Sequence, residues 1–323
     1  MRAVRGPTPN TVCSASAYSR QPRHSLAAAA SLATLRVSGT NGAALPVSTA
    51  NDYPSARRLN HGACTGFGSV ADGYLISVAV QVGTSGWSYD HWKGVLYEPG
   101  VTAGARLQRY AEEFDTVELN ASFYRWPVDA RFGQWRDRLP AGFTMSVKAP
   151  RGLTHGRRLR SPEQWVERIA RAWDELRDRR GAILVQLHPD AERDDARLEY
   201  FLRCLPADLR VAVEFRHRSW DDAAVYDLLE RRGASYVVTS GAGLPCVLKA
   251  TAQLVYVRLH GPDPSTLYAG SYSTDDLHWW ADRIRDWDRQ GRDVLAYFNN
   301  DGAGHAVRNA RTLRALLGDA GVR

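Results

Sequence analysis

The 323-residue chain has two methionines, four cysteines and three lysines. No stretch approaches the roughly 18 consecutive apolar residues of a membrane-spanning helix, so a membrane partner is not expected. The cysteines, Cys13, Cys64, Cys204 and Cys246, lie far apart with no CxxC pair. That pattern argues against a zinc ribbon, a thioredoxin-type site or a disulfide framework, and its plain reading is a reducing, cytoplasmic setting. No G-x-G-x-x-G follows a predicted strand, so a dinucleotide cofactor has little support. There is no G-x-S-x-G elbow and no strand-end cysteine beside a histidine, which leaves acyl transfer through Ser or Cys unsupported. On these grounds no cofactor is expected.

What is present divides at about residue 80. Residues 1–79 are rich in Ala, Ser, Thr, Gly, Pro and Arg, hold seven Arg against two acids, and show no sustained period. They read as a disordered extension or as the product of a misassigned start codon, the latter favoured over an Arg-rich leader. The heavy use of Arg over Lys fits GC-rich coding, which favours spurious upstream frames. The formal charge of +7 splits into +5 for this segment and +2 for residues 80–323. The basic character is therefore poor evidence for a nucleic-acid partner.

From Val80 onward short alternating runs alternate with amphipathic stretches. Strands are predicted at Val80–Ser85, Thr116–Asn120, Phe143–Lys148, Ile183–His188, Arg210–Arg216, Ser235–Thr239, Leu254–His260 and Asp293–Asn299. Helix faces are formed by Leu107, Tyr110 and Phe114, by Trp165, Ile169, Trp173 and Leu176, by Leu198, Phe201 and Leu202, by Leu277, Trp280 and Ile284, and by Ala310, Leu313 and Leu317. Ser161-Pro162-Glu163-Gln164 predicts a helix start, with Ser161 capping and Gln164 closing a capping box. Eight such units over about 250 residues predict a single (β/α)8 TIM-type barrel in the α/β class.

Alternation sorts each strand into two faces. Val213 and Phe215 share one face, Glu214 and Arg216 the other; Val255, Val257 and Leu259 oppose Tyr256, Arg258 and His260. Glu118 and Asn120, Ser146 and Lys148, Gln186, and Tyr297 and Asn299 complete the polar set. If the apolar faces meet the helices, the polar ones point into the bore. Glu118, Lys148, Glu214, Arg216, Arg258 and His260 then gather at the C-terminal ends of the strands, the catalytic end of such barrels. Pairing of Glu118 with Lys148 and of Glu214 with Arg258 is the structural alternative. Buried charges are costly and often replaceable by apolar groups, which favours a functional pocket. In a chain that so rarely writes lysine, Lys148 at a strand end points to a compact ammonium as proton donor, Schiff-base former or anion binder.

These residues fall in blocks that resemble the domain-of-unknown-function family 72 (YecE-like), from Val80 to about Leu317. The blocks are Gly83–Tyr89 with Trp92-Lys93-Gly94, Thr116–Arg125, Lys148–Arg151 with Thr154-His155, Val213–His217 with Ser219-Trp220, Arg258–Gly261, and Tyr297–Asn300 with Ala306 and Asn309-Ala310. The resemblance implies a TIM barrel and no particular reaction. The chain departs from it at Gln186-Leu187-His188-Pro189, where Gln-Leu-Pro-Pro is commoner, and over residues 1–79, which have no counterpart.

The favoured function is an enzyme, of hydrolase, lyase or isomerase type, acting on a small anionic or phosphorylated polyhydroxy compound. Glu118 or Glu214 serves as base, with Lys148 or His260 as acid. Arg216 and Arg258 grip the anion. Asn120, His155, Gln186, Asn299 and Asn300 contact the substrate, and rings of the first two loops, Trp87, Tyr89 and Tyr124 among them, stack on it. A metal-dependent nucleic-acid-processing barrel, with Glu118, Glu214, His155 and His260 as ligands, is disfavoured because the interleaved cations repel a metal; no metal is expected. A binding barrel without turnover is the third reading. Oligomeric state is not readable from the sequence.

Overall fold

The computed structural model describes residues 80–318; residues 1–79, and with them the expectation of a disordered or spurious extension, lie outside the described residues. Eight parallel strands close into a barrel in sequence order. They are β1 (Val80–Ser85), β2 (Thr116–Leu119), β3 (Thr144–Lys148), β4 (Arg180–Gln186), β5 (Val211–Glu214), β6 (Ser235–Ser240), β7 (Leu254–Leu259) and β8 (Asp293–Phe298). The helices are α1 (Arg106–Ala111), α2 (Ala121–Tyr124), α3 (Asp129–Arg136), α4 (Glu163–Leu176), α5 (Asp195–Cys204), α6 (Ala223–Arg231), α7 (Thr274–Arg289) and α8 (His305–Leu317). None of them is long and apolar enough to cross a membrane.

Two separate apolar clusters show which way each strand faces. Val213, Phe215, Val255, Val257 and Leu259 belong to the large cluster shared with buried helix residues such as Leu228, Trp280 and Leu313. A small cluster, including Ala182, Leu184, Ala212, Val237, Tyr256 and Tyr297, fills the bore. The period-2 reading of β5 and β7 is thus realised. On β4 the inner face carries Ala182 and Leu184 below the expected Gln186, and the strand runs from Arg180 rather than Ile183. A register shift against β3 between Met145 and Val147 accompanies this displacement.

Polar groups in the bore satisfy one another. Thr116 and Thr144 hydroxyls meet at 2.9 Å, and the Tyr297 hydroxyl meets Thr116 at 2.7 Å and Ser146 at 2.9 Å. Where β1 nears β2 the approach requires glycine. A Cβ on Gly83 would stand 2.1 Å from the Thr116 carbonyl oxygen.

The expected capping box at Ser161 does not form. Ser161 takes a left-handed φ of 45°, whereas a capping residue needs extended backbone, and Pro162 precedes α4 with no side-chain cap. A capping box does form at α7. The Ser273 hydroxyl accepts from the Asp276 amide at 3.1 Å, and the Asp276 carboxylate accepts from the Ser273 amide at 3.1 Å. Ser273→Ala is expected to cost about 1 kcal/mol, read as a lower urea midpoint with an unchanged slope.

Candidate active site at the barrel mouth

At the C-terminal ends of the strands a charged layer spans the bore. Arg258, from β7, is wholly buried, and so are Glu118 from β2 and Glu214 from β5. The guanidinium grips Glu118 with two bonds, Nε to Oε2 at 2.9 Å and Nη2 to Oε1 at 2.7 Å. Its Nη1 donates to Glu214 Oε2 at 2.6 Å. The other Glu214 oxygen pairs with Arg216 Nε and lies 3.6 Å from His260 Nε2. Glu118 also accepts from the Tyr256 hydroxyl at 2.8 Å and from Ser85, whose own oxygen accepts from Asn120 Nδ2 at 2.7 Å. Of the two pairings expected from sequence, Glu214 with Arg258 is present. Glu118 pairs across the bore with Arg258 instead of with Lys148.

Burial alone would raise both carboxyl pKa values. The Arg258 charge, with its hydrogen bonds, overcomes that for Glu118 and holds its pKa below the usual value. Arg216 and Arg258 hold Glu214 well below it. His260 is driven the other way: burial and then the Arg258 charge lower its pKa to about 3, so its imidazole is neutral near pH 7. Asn299 Nδ2 lies 3.2 Å from its Nδ1, and the Tyr268 ring covers it edge-on with centroids 5.2 Å apart.

Above this layer opens a cavity of about 560 Å³. Lys148, at the end of β3, reaches it with only 8% of the residue exposed. Its Nζ sits 4.5 Å from the centroid of the Phe123 ring. Among the described residues no carboxylate lies within ion-pair distance of that nitrogen. Burial, then repulsion by Arg258, lowers the Lys148 pKa to about 7, against the opposing pull of Glu118 and Glu214.

The cavity also brings together Trp87, Tyr89, Asn120, Tyr124 and Asn299 of the sequence-predicted set. Asn120 turns toward it with a buried Oδ1 that has no hydrogen-bond partner, and Tyr124 is 81% exposed at its rim. Glu118, Glu214, His260, Arg216 and Arg258 do not line the cavity; they lie packed in the charged layer.

His155, Gln186 and Asn300 do not line it either. His155 packs against Phe123 and His188, with ring centroids at 4.9 and 5.0 Å, and burial followed by His188 lowers its pKa to about 4. Gln186 is buried. Asn300 is buried as a tie: its Nδ2 donates to the Gly270 carbonyl and to Asn309 Oδ1, each at 2.9 Å. The other loop rings divide by role. Trp92 is fully buried against Tyr89 and Tyr97, and Trp126 packs on Phe132.

Sequence reasoning assigned no site role to Asp301, Tyr268 or Trp135, which also line the cavity. Asp301 follows β8 in the Asn300–His305 turn, where no strand period assigns a direction. Burial raises its pKa, and the His91 ring lies 2.7 Å from its backbone oxygen. Tyr89 donates to the Ser85 carbonyl at 2.8 Å, and burial with the Asp301 charge raises its phenol.

The four candidate metal ligands do not converge. Glu118 and Glu214 are both committed to Arg258, and His155 lies outside the charged layer. Among the described residues no group of three or more His, Cys, Asp or Glu side chains could hold a metal ion.

A closed (β/α)8 barrel with an aromatic-rimmed cavity over a charged layer at its C-terminal mouth defines a TIM-barrel protein with a small-molecule-sized pocket. The family model described as "Protein of unknown function DUF72" matches residues 81–323, and the chain belongs to that family. It is 27% identical over 269 residues to the UPF0759 protein YunF of Bacillus subtilis, covering 74% of this chain and 94% of that one. It is 26% identical over 165 residues to the UPF0759 protein YecE of Escherichia coli K12, covering 49% and 58%. Among solved structures, a DUF72 family protein of Thermotoga maritima aligns with a TM-score of 0.67 at 29% identity over 74% of this chain and 98% of its own. One from Enterococcus faecalis aligns at 0.66 and 20% identity, covering 74% and 95%, a likeness that shows the fold alone.

Proposed function

We propose that the barrel mouth is the active site of an enzyme that performs acid–base chemistry on a small anionic, polyhydroxylated compound such as a sugar phosphate. The observation that carries this reading is Lys148, a buried ammonium without a carboxylate partner that opens onto the cavity. Its lowered pKa and the raised pKa of Asp301 place two proton carriers in one pocket, each displaced toward neutrality. Asn120 and Asn299 offer amide groups to hydroxyls, and Trp87, Tyr89 and Tyr124 offer ring faces to a sugar. Glu118 and Glu214 are the counter-charges that fix Arg258 and Arg216, so the layer carries no net formal charge and Lys148 is the group that would meet an anion in the cavity.

Thermal shift of the full chain against ribose 5-phosphate, glucose 6-phosphate and dihydroxyacetone phosphate tests the reading. A ligand at a hundredfold over its dissociation constant stabilises by about 2.7 kcal/mol, or roughly 5–10 °C for a domain of this size. The expected result is such a rise, lost in Lys148→Met. No rise with any of the three, or a rise that survives Lys148→Met, overturns it.

A further inference from the structure

The three lysines of the chain differ in one respect that bears on reactivity. Lys93 and Lys249 are ordinary surface groups, with side chains 57% and 42% exposed and carboxylates beside them, Asp90 at 3.9 Å and Glu230 at 3.4 Å. Lys148 is nine-tenths buried, yet its end group opens on a cavity. The charges that act on it most come from the layer below, and Asp301 lines the same cavity. Arg258 and Arg216 repel its proton, Glu118 and Glu214 hold it, and both carboxylates are already bonded to arginine. His155 stands behind Phe123 and is neutral near pH 7.

An ammonium kept only to bind an anion gains from being permanently charged, as arginine is, and this chain writes arginine almost everywhere else. A site that withholds ion-pair partners from a lysine instead favours the free amine, which is the nucleophilic form.

We propose that Lys148 is a covalent nucleophile that forms an imine with a carbonyl-bearing substrate, an aldehyde or ketone, in this cavity. This rests on the cavity being the active site and adds the substrate's reactive group to it. The Nζ lone pair forms the C–N bond as the carbonyl π pair moves onto oxygen, which takes a proton while the nitrogen gives one up. The carbinolamine hydroxyl takes a second proton and leaves as water with the C–O bonding pair, and the nitrogen lone pair closes C=N. Amine, carbonyl compound and one proton give iminium and water. Asp301 lines the same cavity, and burial shifts it toward the protonated form that such a transfer needs.

The scarcity of lysine makes the test clean. The full chain is treated at pH 7 with formaldehyde and cyanoborohydride, and methylation at each lysine is followed by peptide mass spectrometry. Lys148 is expected to label at least about tenfold faster than Lys93 and Lys249, a preference lost in guanidinium. Borohydride is then added with dihydroxyacetone phosphate, pyruvate or ribose 5-phosphate. At least one should leave its reduced adduct on Lys148, with none at Lys93 and none anywhere in Lys148→Arg.

Labelling of Lys148 no faster than that of the surface lysines overturns the nucleophile. So does fast formaldehyde labelling with no adduct from any of the three carbonyl compounds. If a sugar phosphate still stabilises the protein in a Lys148-dependent way while no adduct forms, the imine fails and the active-site reading survives. If neither occurs, both fail.

Discussion

Lys148→Met is expected to make the barrel more stable at pH 6 while removing every Lys148-dependent ligand response. Two opposing quantities decide the sign. Folding takes the ammonium out of water without giving it a carboxylate partner, and its pKa falls from 10.5 to about 7. Between these values the unfolded chain holds more protons than the folded one, so wild-type stability rises with pH across that window. Below pH 7 both states are protonated and the full penalty is present. At about 1.4 kcal/mol per pH unit the ceiling is about 5 kcal/mol. Loss of the contact with the Phe123 ring and contact of the Met side chain with cavity water reduce it, leaving an expected gain of about 2–4 kcal/mol. The gap between variant and wild type should shrink as pH rises from 7 to 10. Urea unfolding of both proteins at pH 6, 8 and 9.5 measures it. A variant that is less stable at pH 6, or a gap that does not change with pH, means the ammonium is not under strain in the fold.

Arg258→Met should have the opposite and larger consequence. It removes the one cation among the described residues that touches both Glu118 and Glu214, leaving two carboxylates in the bore with Arg216, His260, Tyr256 and Ser85 as their remaining partners. Breaking a buried pair from one side costs about 3–5 kcal/mol, and here two carboxylates are uncovered at once. The expected result is a protein that unfolds at least 10 °C lower or does not accumulate folded. Because failure to fold has many causes, the informative comparison is the triple variant Glu118→Gln, Glu214→Gln, Arg258→Met. Neutralising the stranded carboxylates should return most of the loss. A triple variant no more stable than the single one would show that Arg258 matters through packing and not through its charge.

Most of the barrel was legible in the sequence, and the reason is periodicity. A strand that alternates between Val213 and Glu214, or between Val257 and Arg258, has one physically acceptable orientation, so strand count, facing and the charged layer follow together. Partner choice was not legible. Glu118 lies one strand from Lys148, but Arg258 reaches it across the bore, and neither bore width nor side-chain reach is written in the alternation. The same limit applies where strands end. His260 continues inward beyond β7, whereas Asn300 turns away to tie Gly270 to Asn309. Asp301 and Tyr268 sit on turns with no period. At α4 the Ser-Pro-Glu-Gln signal fits a capped start and a left-handed turn equally well, and only the backbone distinguishes them.

The carboxylate–guanidinium–carboxylate layer beneath the cavity also sets how the site answers a change of charge. Its dipoles are held by bonds of 2.6–2.9 Å on groups wholly withdrawn from solvent. They do not rotate when a proton leaves Lys148 or when a negative centre grows above it, as water molecules would. The reorganisation energy of the floor is therefore small, and the electrostatic work of orienting it is done when the chain folds, before any substrate arrives.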